Sequence, residues 1–295
     1  MRALLQVIRR ETDTVFFSGG EPLMRPDLEA ILGCASELGF ARTCLLTNGY
    51  ALDERPDLLG LTSSIIVSLD TLDTARGDRL YGRGAGVTRR ILENIELARS
   101  RCGDRSTLWA NICILPETLP DLPALLDFLA RERIGFLALP VLRGVYADPA
   151  LVGNPAYQDV VDRIMSLKRQ GHAVLASMGY YRHIRDFSAF PCRPTLSIKT
   201  RPDGALLYPC HKLNLEGGNL VELGDYRAAL EEGVRRHGAV PQCDSRCHEC
   251  CQDFTLAVES PSLLLEEGYY QLKASLKART RADTTETQAD EAAKP

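Results

Sequence analysis

Over the first 145 residues, short β-branched or aromatic runs alternate with stretches of helical apolar spacing, and this alternation constrains the fold more than any other feature. Thr14–Phe17 breaks at Ser18-Gly19-Gly20, Cys44–Leu46 stops at Thr47-Asn48-Gly49, and Ser64–Leu69 runs out at Asp70. Leu108–Leu115 and Phe136–Leu139 complete five predicted strands, each closed by a turn rich in Gly, Asn, Asp or Pro. Between them, Asp27–Leu38, Gly86–Arg99 and Leu122–Arg131 carry the spacing of amphipathic helices. Strands that take turns with helices pair in parallel through crossover connections, so the pattern predicts an α/β fold with a parallel sheet. In such sheets the ligand site lies at the C-terminal ends of the strands, where these turns fall.

After Arg143 the texture changes. Asp159–Arg169 reads as a helix, and the aromatic, basic stretch Gly179–Phe187 reads as a packed helix leading into a cysteine-rich region. Within it, Tyr180-Tyr181-Arg182-His183 has a competing reading as a substrate-facing segment. Leu196–Thr200 and Leu206–Tyr208 flank Arg201-Pro202-Asp203-Gly204, a hairpin turn signal. Tyr226–His237 and Leu263–Lys277 are helical, and Thr280–Pro295, without an aromatic residue, is expected to be a disordered tail. Hydrophobic residues at 45% suffice for a packed core, and a net charge of −4 argues against a nucleic-acid partner. No apolar run reaches the ~18 residues of a membrane span. Met1–Arg10 has the spacing of an amphipathic helix rather than a signal peptide, so a cytoplasmic location is expected.

Ten cysteines are many for a reducing compartment, and six of them fall between 192 and 251, which reads as metal ligation rather than a disulfide framework. Cys34, Cys44, Cys102 and Cys113 are scattered and read as small buried hydrophobes. Cys192 and Cys210 straddle the predicted hairpin, which would bring both thiols to one end, and Cys247-x2-Cys250 adds a two-residue hook. Together these four make a closed site for an iron–sulfur cluster or for Zn²⁺, with Cys243 and Cys251 as alternates. His211 and His248 neighbour these cysteines and read as solvated, with a supporting hydrogen-bond role as the alternative.

The remaining chemistry lies in the turn Ser18-Gly19-Gly20-Glu21-Pro22. Two glycines allow a sharp bend and close approach of a ligand, Glu21 offers an acceptor for an ammonium group, and Pro22 stiffens the exit. The turn is followed in order by Leu45-Leu46-Thr47-Asn48-Gly49, by Val67-Ser68-Leu69-Asp70 and by Ala110-Asn111-Ile112. This ordered set resembles the radical S-adenosylmethionine (SAM) family over roughly residues 1–140, in particular its molybdenum-cofactor, peptide-modifying and adenosyl-hopene synthases.

The resemblance implies that Gly19, Gly20 and Glu21 bind the methionine amino group of SAM. Ser68 and Asp70 would lie near its ribose and carboxylate, with Asn48 and Asn111 lining the pocket. For Ser68, Asp70 and Asn48, strand-end capping and turn formation are the competing reading. The family fold is a partial (β/α)6 TIM-like barrel, and the five strands here imply that its first strand is missing. So is the Cys-x3-Cys-x2-Cys loop that holds the catalytic [4Fe–4S] cluster, since no cysteine precedes Cys34. A catalytic cluster is therefore expected only if an upstream segment exists. The spacing does recur at Cys243, Cys247 and Cys250, but without a preceding strand it reads as auxiliary.

The cysteine region resembles the SPASM or twitch auxiliary-cluster domains, which implies that Cys192, Cys210, Cys247 and Cys250 hold a [4Fe–4S] cluster. The expected organisation is a radical SAM core at 1–145, connecting helices at 146–190, an auxiliary domain at 191–279 and the tail at 280–295. The implied function is an enzyme that forms a 5′-deoxyadenosyl radical on an unknown small-molecule, lipid or peptide substrate, fed by an electron donor such as flavodoxin or ferredoxin. The alternative is a catalytically inactive, metal-stabilised binding or scaffold protein on the same fold.

Overall fold

The computed structural model describes residues 1–102, 106–189, 192–238, 247–249 and 251–292, the stretch 278–292 by its backbone alone. Five strands, β1 (Thr14–Phe17), β2 (Arg42–Thr47), β3 (Ser64–Ser68), β4 (Thr107–Ile114) and β5 (Gly135–Pro140), form one sheet in the order β1-β2-β3-β4-β5. All four pairings are parallel, as the alternation predicts. The crossovers carry α2 (Leu28–Glu37), α3 (Leu58–Leu61), α4 (Thr74–Tyr81), α5 (Val87–Arg101) and α6 (Leu122–Glu132), after an N-terminal α1 (Arg2–Glu11).

The two faces of the sheet differ. Leu45, Ile65, Val67, Ala110, Ile112, Ile114, Phe136 and Ala138 alternate onto the helix side and are almost wholly buried against Ile91, Ile95, Leu125 and Leu129. This continuous apolar layer is the main hydrophobic term holding the sheet to its helices. In-register neighbours on the opposite face are Phe16, Cys44 and Ser64 along one row and Ser68 with Asn111 along another. That face is more open, and Phe16 on edge strand β1 is 60% exposed. A sheet helix-covered on one face and open on the other is the geometry expected of a partial TIM-like barrel.

Beyond β5 come a short hairpin of β6 (Leu142–Arg143) and β7 (Tyr146–Ala147), then α7 (Pro155–Arg169) and α8 (Met178–Asp186). Tyr180 and Tyr181 are fully buried, so α8 is a packed helix. One expectation fails here. Leu196–Thr200 is not a strand: its backbone meets the next run through Leu207 N donating to Lys199 O (2.8 Å) and a bridge from Thr200 to Leu206. The turn is in place, with Gly204 N bonded to Arg201 O (3.0 Å), but β8 (Ala205–Tyr208) takes β9 (Leu215–Asn219) as its antiparallel partner.

The short α9 (Leu220–Leu223) and then α10 (Tyr226–His237) follow β9. Leu206, Leu220 and Ala229 from this region pack on Leu4 and Val7 of α1, whose Leu5 faces Val15, Ile31, Ala35 and Phe40 on the other side.

The C-terminal helices α11 (Gln252–Glu259) and α12 (Pro261–Ala292) return to the sheet domain. Helical backbone thus continues into the stretch where composition predicts a disordered tail. Buried Lys168 on α7 donates to Val174 O (2.7 Å), Ala176 O (2.9 Å) and Glu267 Oε1 on α12 (2.8 Å). Asp253 on α11 accepts from Ser177 N. Among the described residues, no helix is long and apolar enough to cross a membrane.

Candidate functional site

Loops after β1, β2, β3 and β4 meet at the C-terminal edge of the sheet. The first turn needs its glycine: Gly19 has φ +124°, and a Cβ at Gly19 or Gly20 would meet no atom within 4 Å, so both face open space. Glu21 does not point freely outward. Its Oε1 accepts from Leu23 N (3.0 Å) and Thr47 Oγ1 (2.6 Å), and its Oε2 from Asn48 N (2.8 Å). The carboxylate therefore clamps the first loop to the second. With three of roughly four acceptor positions filled, it retains about one for a ligand.

The second loop is held from below. Gly49, at φ +75°, lies so near β3 that a Cβ would sit 2.7 Å from Val67 Cγ1. The side chain of Asn94, buried in α5, donates to Gly49 O (2.8 Å), Tyr50 O (3.0 Å) and Asp53 Oδ1 (3.0 Å). Asn48 Oδ1 accepts from Tyr50 N (2.9 Å), the turn bond of the competing reading of Asn48. Sequence reasoning missed Thr47 and Asn94. A threonine closing a strand and an asparagine in the apolar stripe of a helix were the available signals.

Ser68 and Asn111 are register partners and share the open face. Asp70 Oδ1 accepts from Cys113 N (2.7 Å), and burial pushes the carboxyl up to about 6 against that hydrogen bond. The Cys113 thiol is pushed up to about 12, by burial first and then by the negative charges of Asp70 and Glu249. Tyr81 donates to Ser68 O (3.1 Å), and burial, then Asp70, raises its hydroxyl above the usual range. The structure thus brings Gly19, Gly20, Glu21, Asn48, Ser68, Asp70 and Asn111 to one edge of the sheet.

A second site lies where the C-terminal segments cross. Cys192, Cys210, Cys247 and Cys251 line one pocket of about 500 Å³, counted out to its open mouth, together with Val145, His211, Lys212 and Gln252. Cys243 and Cys250 lie outside the described residues. Burial pushes the Cys247 thiol up to about 12 and raises Cys251 as well, so both favour the protonated form until a cation competes for the thiolate. Lys199 Nζ lies 2.9 Å from His211 Nδ1 and also bonds Cys251, while Lys212 pairs with Glu249 (2.6 Å). Burial, then Lys199, depresses the His211 pKa.

Among the described residues, no three His, Cys, Asp or Glu side chains converge on one metal-sized point. Gln252 gives an independent observation. It is 0% exposed, yet among the described residues neither its amide nitrogen nor its amide oxygen has a hydrogen-bond partner. A buried donor and acceptor left unmet beside four thiols fit a pocket built to receive a polarisable group.

Comparison with known proteins gives the family of the segment that carries the first site. Residues 1–129 match the Radical SAM superfamily model. This segment is similar to radical SAM domains. Among curated relatives, the chain is 36% identical over 130 residues to a GTP 3′,8-cyclase of Rhodococcus opacus (strain B4), a match covering 41% of this chain and 34% of that one. It is 35% identical over 165 residues to a probable GTP 3′,8-cyclase of Methanosarcina acetivorans (54% and 48%). It is also 30% identical over 200 residues to an Fe-coproporphyrin III synthase of Methanosarcina barkeri (66% and 45%). The chain thus spans half or less of the length of these relatives.

Among solved structures, hexahistidine-tagged anSMEcpe with bound AdoMet superposes with a TM-score of 0.58 at 14% identity, over 93% of this chain and 88% of that one. The form carrying AdoMet and the Kp18Cys peptide gives 0.54 at 13% identity, over 79% and 70%. At these identities the likeness shows a shared fold.

Proposed function

We propose that the chain binds SAM across the loops following β1–β4 and holds an iron–sulfur group in the cysteine pocket. It would do so as part of an enzyme that modifies a small-molecule substrate by radical chemistry starting from SAM. The carrying observation is the Glu21 clamp, which unites two loops of the matched segment beside two unencumbered glycines. On this reading Gly19 and Gly20 admit the ligand close to the backbone, and Glu21 fixes the loop and offers its remaining acceptor position to the SAM ammonium. Ser68 and Asn111 present hydroxyl and amide groups from adjacent strands, and Asp70 supplies a carboxyl poised near neutrality.

Cys192, Cys210, Cys247 and Cys251 would hold the auxiliary group, with Cys250 or Cys243 as the alternate fourth ligand. Four thiols lining one pocket are a ligand set that an iron–sulfur cluster uses, with Zn²⁺ as the alternative. When bound, an iron–sulfur cluster supplies one-electron chemistry, drawn from a donor such as flavodoxin or ferredoxin. The relatives' names favour a small-molecule substrate over a lipid or a peptide.

Two measurements test the reading. Equilibrium dialysis with labelled SAM should show binding that Glu21→Ala abolishes. Under reducing, anaerobic conditions the protein from its own host should release 5′-deoxyadenosine. SAM binding without that product would reject catalysis in favour of a binding or scaffold role.

A further inference from the structure

We propose that Gln252 donates a hydrogen bond from its side-chain amide to a sulfur of the group held in the cysteine pocket, and thereby raises its reduction potential. The inference rests on the proposed reading of that pocket, and it starts from an anomaly of this chain. Gln252 is wholly buried at the first turn of α11, directly after Cys251, and its own backbone N–H is used on Glu249 O (3.0 Å). Its side chain lines the same pocket as Cys192, Cys210, Cys247 and Cys251, and both amide atoms lack a partner among the described residues.

An aliphatic residue would fill this position without leaving a donor and an acceptor unmet. The amide N–H is accounted for once a sulfur, a diffuse acceptor, enters the pocket. Lys212 lines the same pocket, and its ammonium has N–H groups beyond the one on Glu249, so it is a donor of the kind the amide oxygen needs.

A hydrogen bond to a ligating or bridging sulfur withdraws electron density and favours the more negatively charged, reduced state. Gln252 is thus a tuning residue rather than a ligand. Lys199, bonded to Cys251, adds a positive charge that acts in the same direction, whereas the charge of Lys212 is offset by Glu249.

The test uses the full chain loaded anaerobically with ferrous iron and sulfide, in wild-type, Gln252→Met, Gln252→Glu and Cys247→Ala forms. Iron and sulfide are assayed, and the midpoint potential is read by an EPR-monitored titration. Gln252→Met should keep the iron and sulfide of the wild type. Its one-electron reduction equilibrium should shift on the order of tenfold toward the oxidised state, ~59 mV more negative. Gln252→Glu removes the donor, adds an anion and should shift it further the same way, which keeps the test available if the methionine variant does not fold. Full loading with an unchanged or raised potential in both variants overturns the role of Gln252 and leaves the pocket reading intact. A wild type that takes up no more iron and sulfide than Cys247→Ala, or that holds only zinc, overturns the pocket reading and the inference with it.

Discussion

Asp70 is held at a cost that can be measured. Burial raises its carboxyl from 3.8 to about 6, and the hydrogen bond seen at the carboxylate comes from Cys113 N. A shift of about two units corresponds to roughly 3 kcal/mol, an upper figure for a side chain that keeps some contact with water. Because the folded value lies above the unfolded one, the native state binds more protons between about pH 4 and pH 6. Stability is therefore full below the unfolded value and is lost as pH rises through about 6, after which the penalty is constant. Asp70→Asn has the same shape and can still accept from Cys113 N, but cannot ionise. Urea denaturation of the metal-free chain should therefore find the variant more stable than wild type by ~1–3 kcal/mol at about pH 8, and equal to it near pH 4. An increment independent of pH, or a loss of stability at pH 8, would refute the account. On the proposed reading Asp70 lines the SAM site, so the stabilised variant should also bind SAM more weakly.

Three further outcomes are expected. Lys168→Met removes a buried ammonium from two carbonyls and Glu267, and should destabilise the chain by ~3–5 kcal/mol in urea titrations; combining it with Glu267→Gln should cost less than the sum of the single changes. Thr47→Val deletes the 2.6 Å bond to Glu21 and the acceptor of Gly49 N, so SAM affinity in dialysis should fall about tenfold and the chain should lose ~1–3 kcal/mol in urea titrations. Cys247→Ala should abolish the visible charge-transfer absorbance of iron–sulfide-loaded protein, and persistence of that colour would place the group elsewhere.

The sheet was legible because each strand is a β-branched or aromatic run closed by a turn residue, and the packing obeys the same period. Helix α4 was not: Thr-Ala-Arg-Gly-Asp-Arg-Leu-Tyr has only Ala75 as an apolar residue before Leu80 and Tyr81, and nothing but the flanking Asp73 cap and Gly82 betrays it. The strand β9 was hidden for a different reason. Its sequence Leu-Glu-Gly-Gly-Asn reads as a loop, yet a Cβ at Gly218 would lie 2.5 Å from Leu223 Cδ1 and 2.8 Å from Ala229 Cα, so close packing of α10 requires the glycines. At the glycine turn the residue types were readable, but the engagement of Glu21 with Thr47 and Asn48 depends on a loop one strand away. Gln252 was invisible, because a glutamine after two cysteines looks like an ordinary solvated residue until its burial is known.

The position of α1 has a mechanical consequence. One ten-residue helix, about 15 Å long, carries Leu5 in the core beneath β1 and Leu4 with Val7 in the core beneath β8. It leads within a few residues into the Gly19 turn, and the β8 strand it supports leads directly to Cys210. The two sites are thus fastened to a single rod. Backbone amides of β1 and β8 should open to hydrogen exchange together, as one cooperative unit rather than as two domains. A change at Leu4 or Val7, remote from any ligand, would loosen both ends at once, and the two sites of this molecule are constrained to vary as a pair.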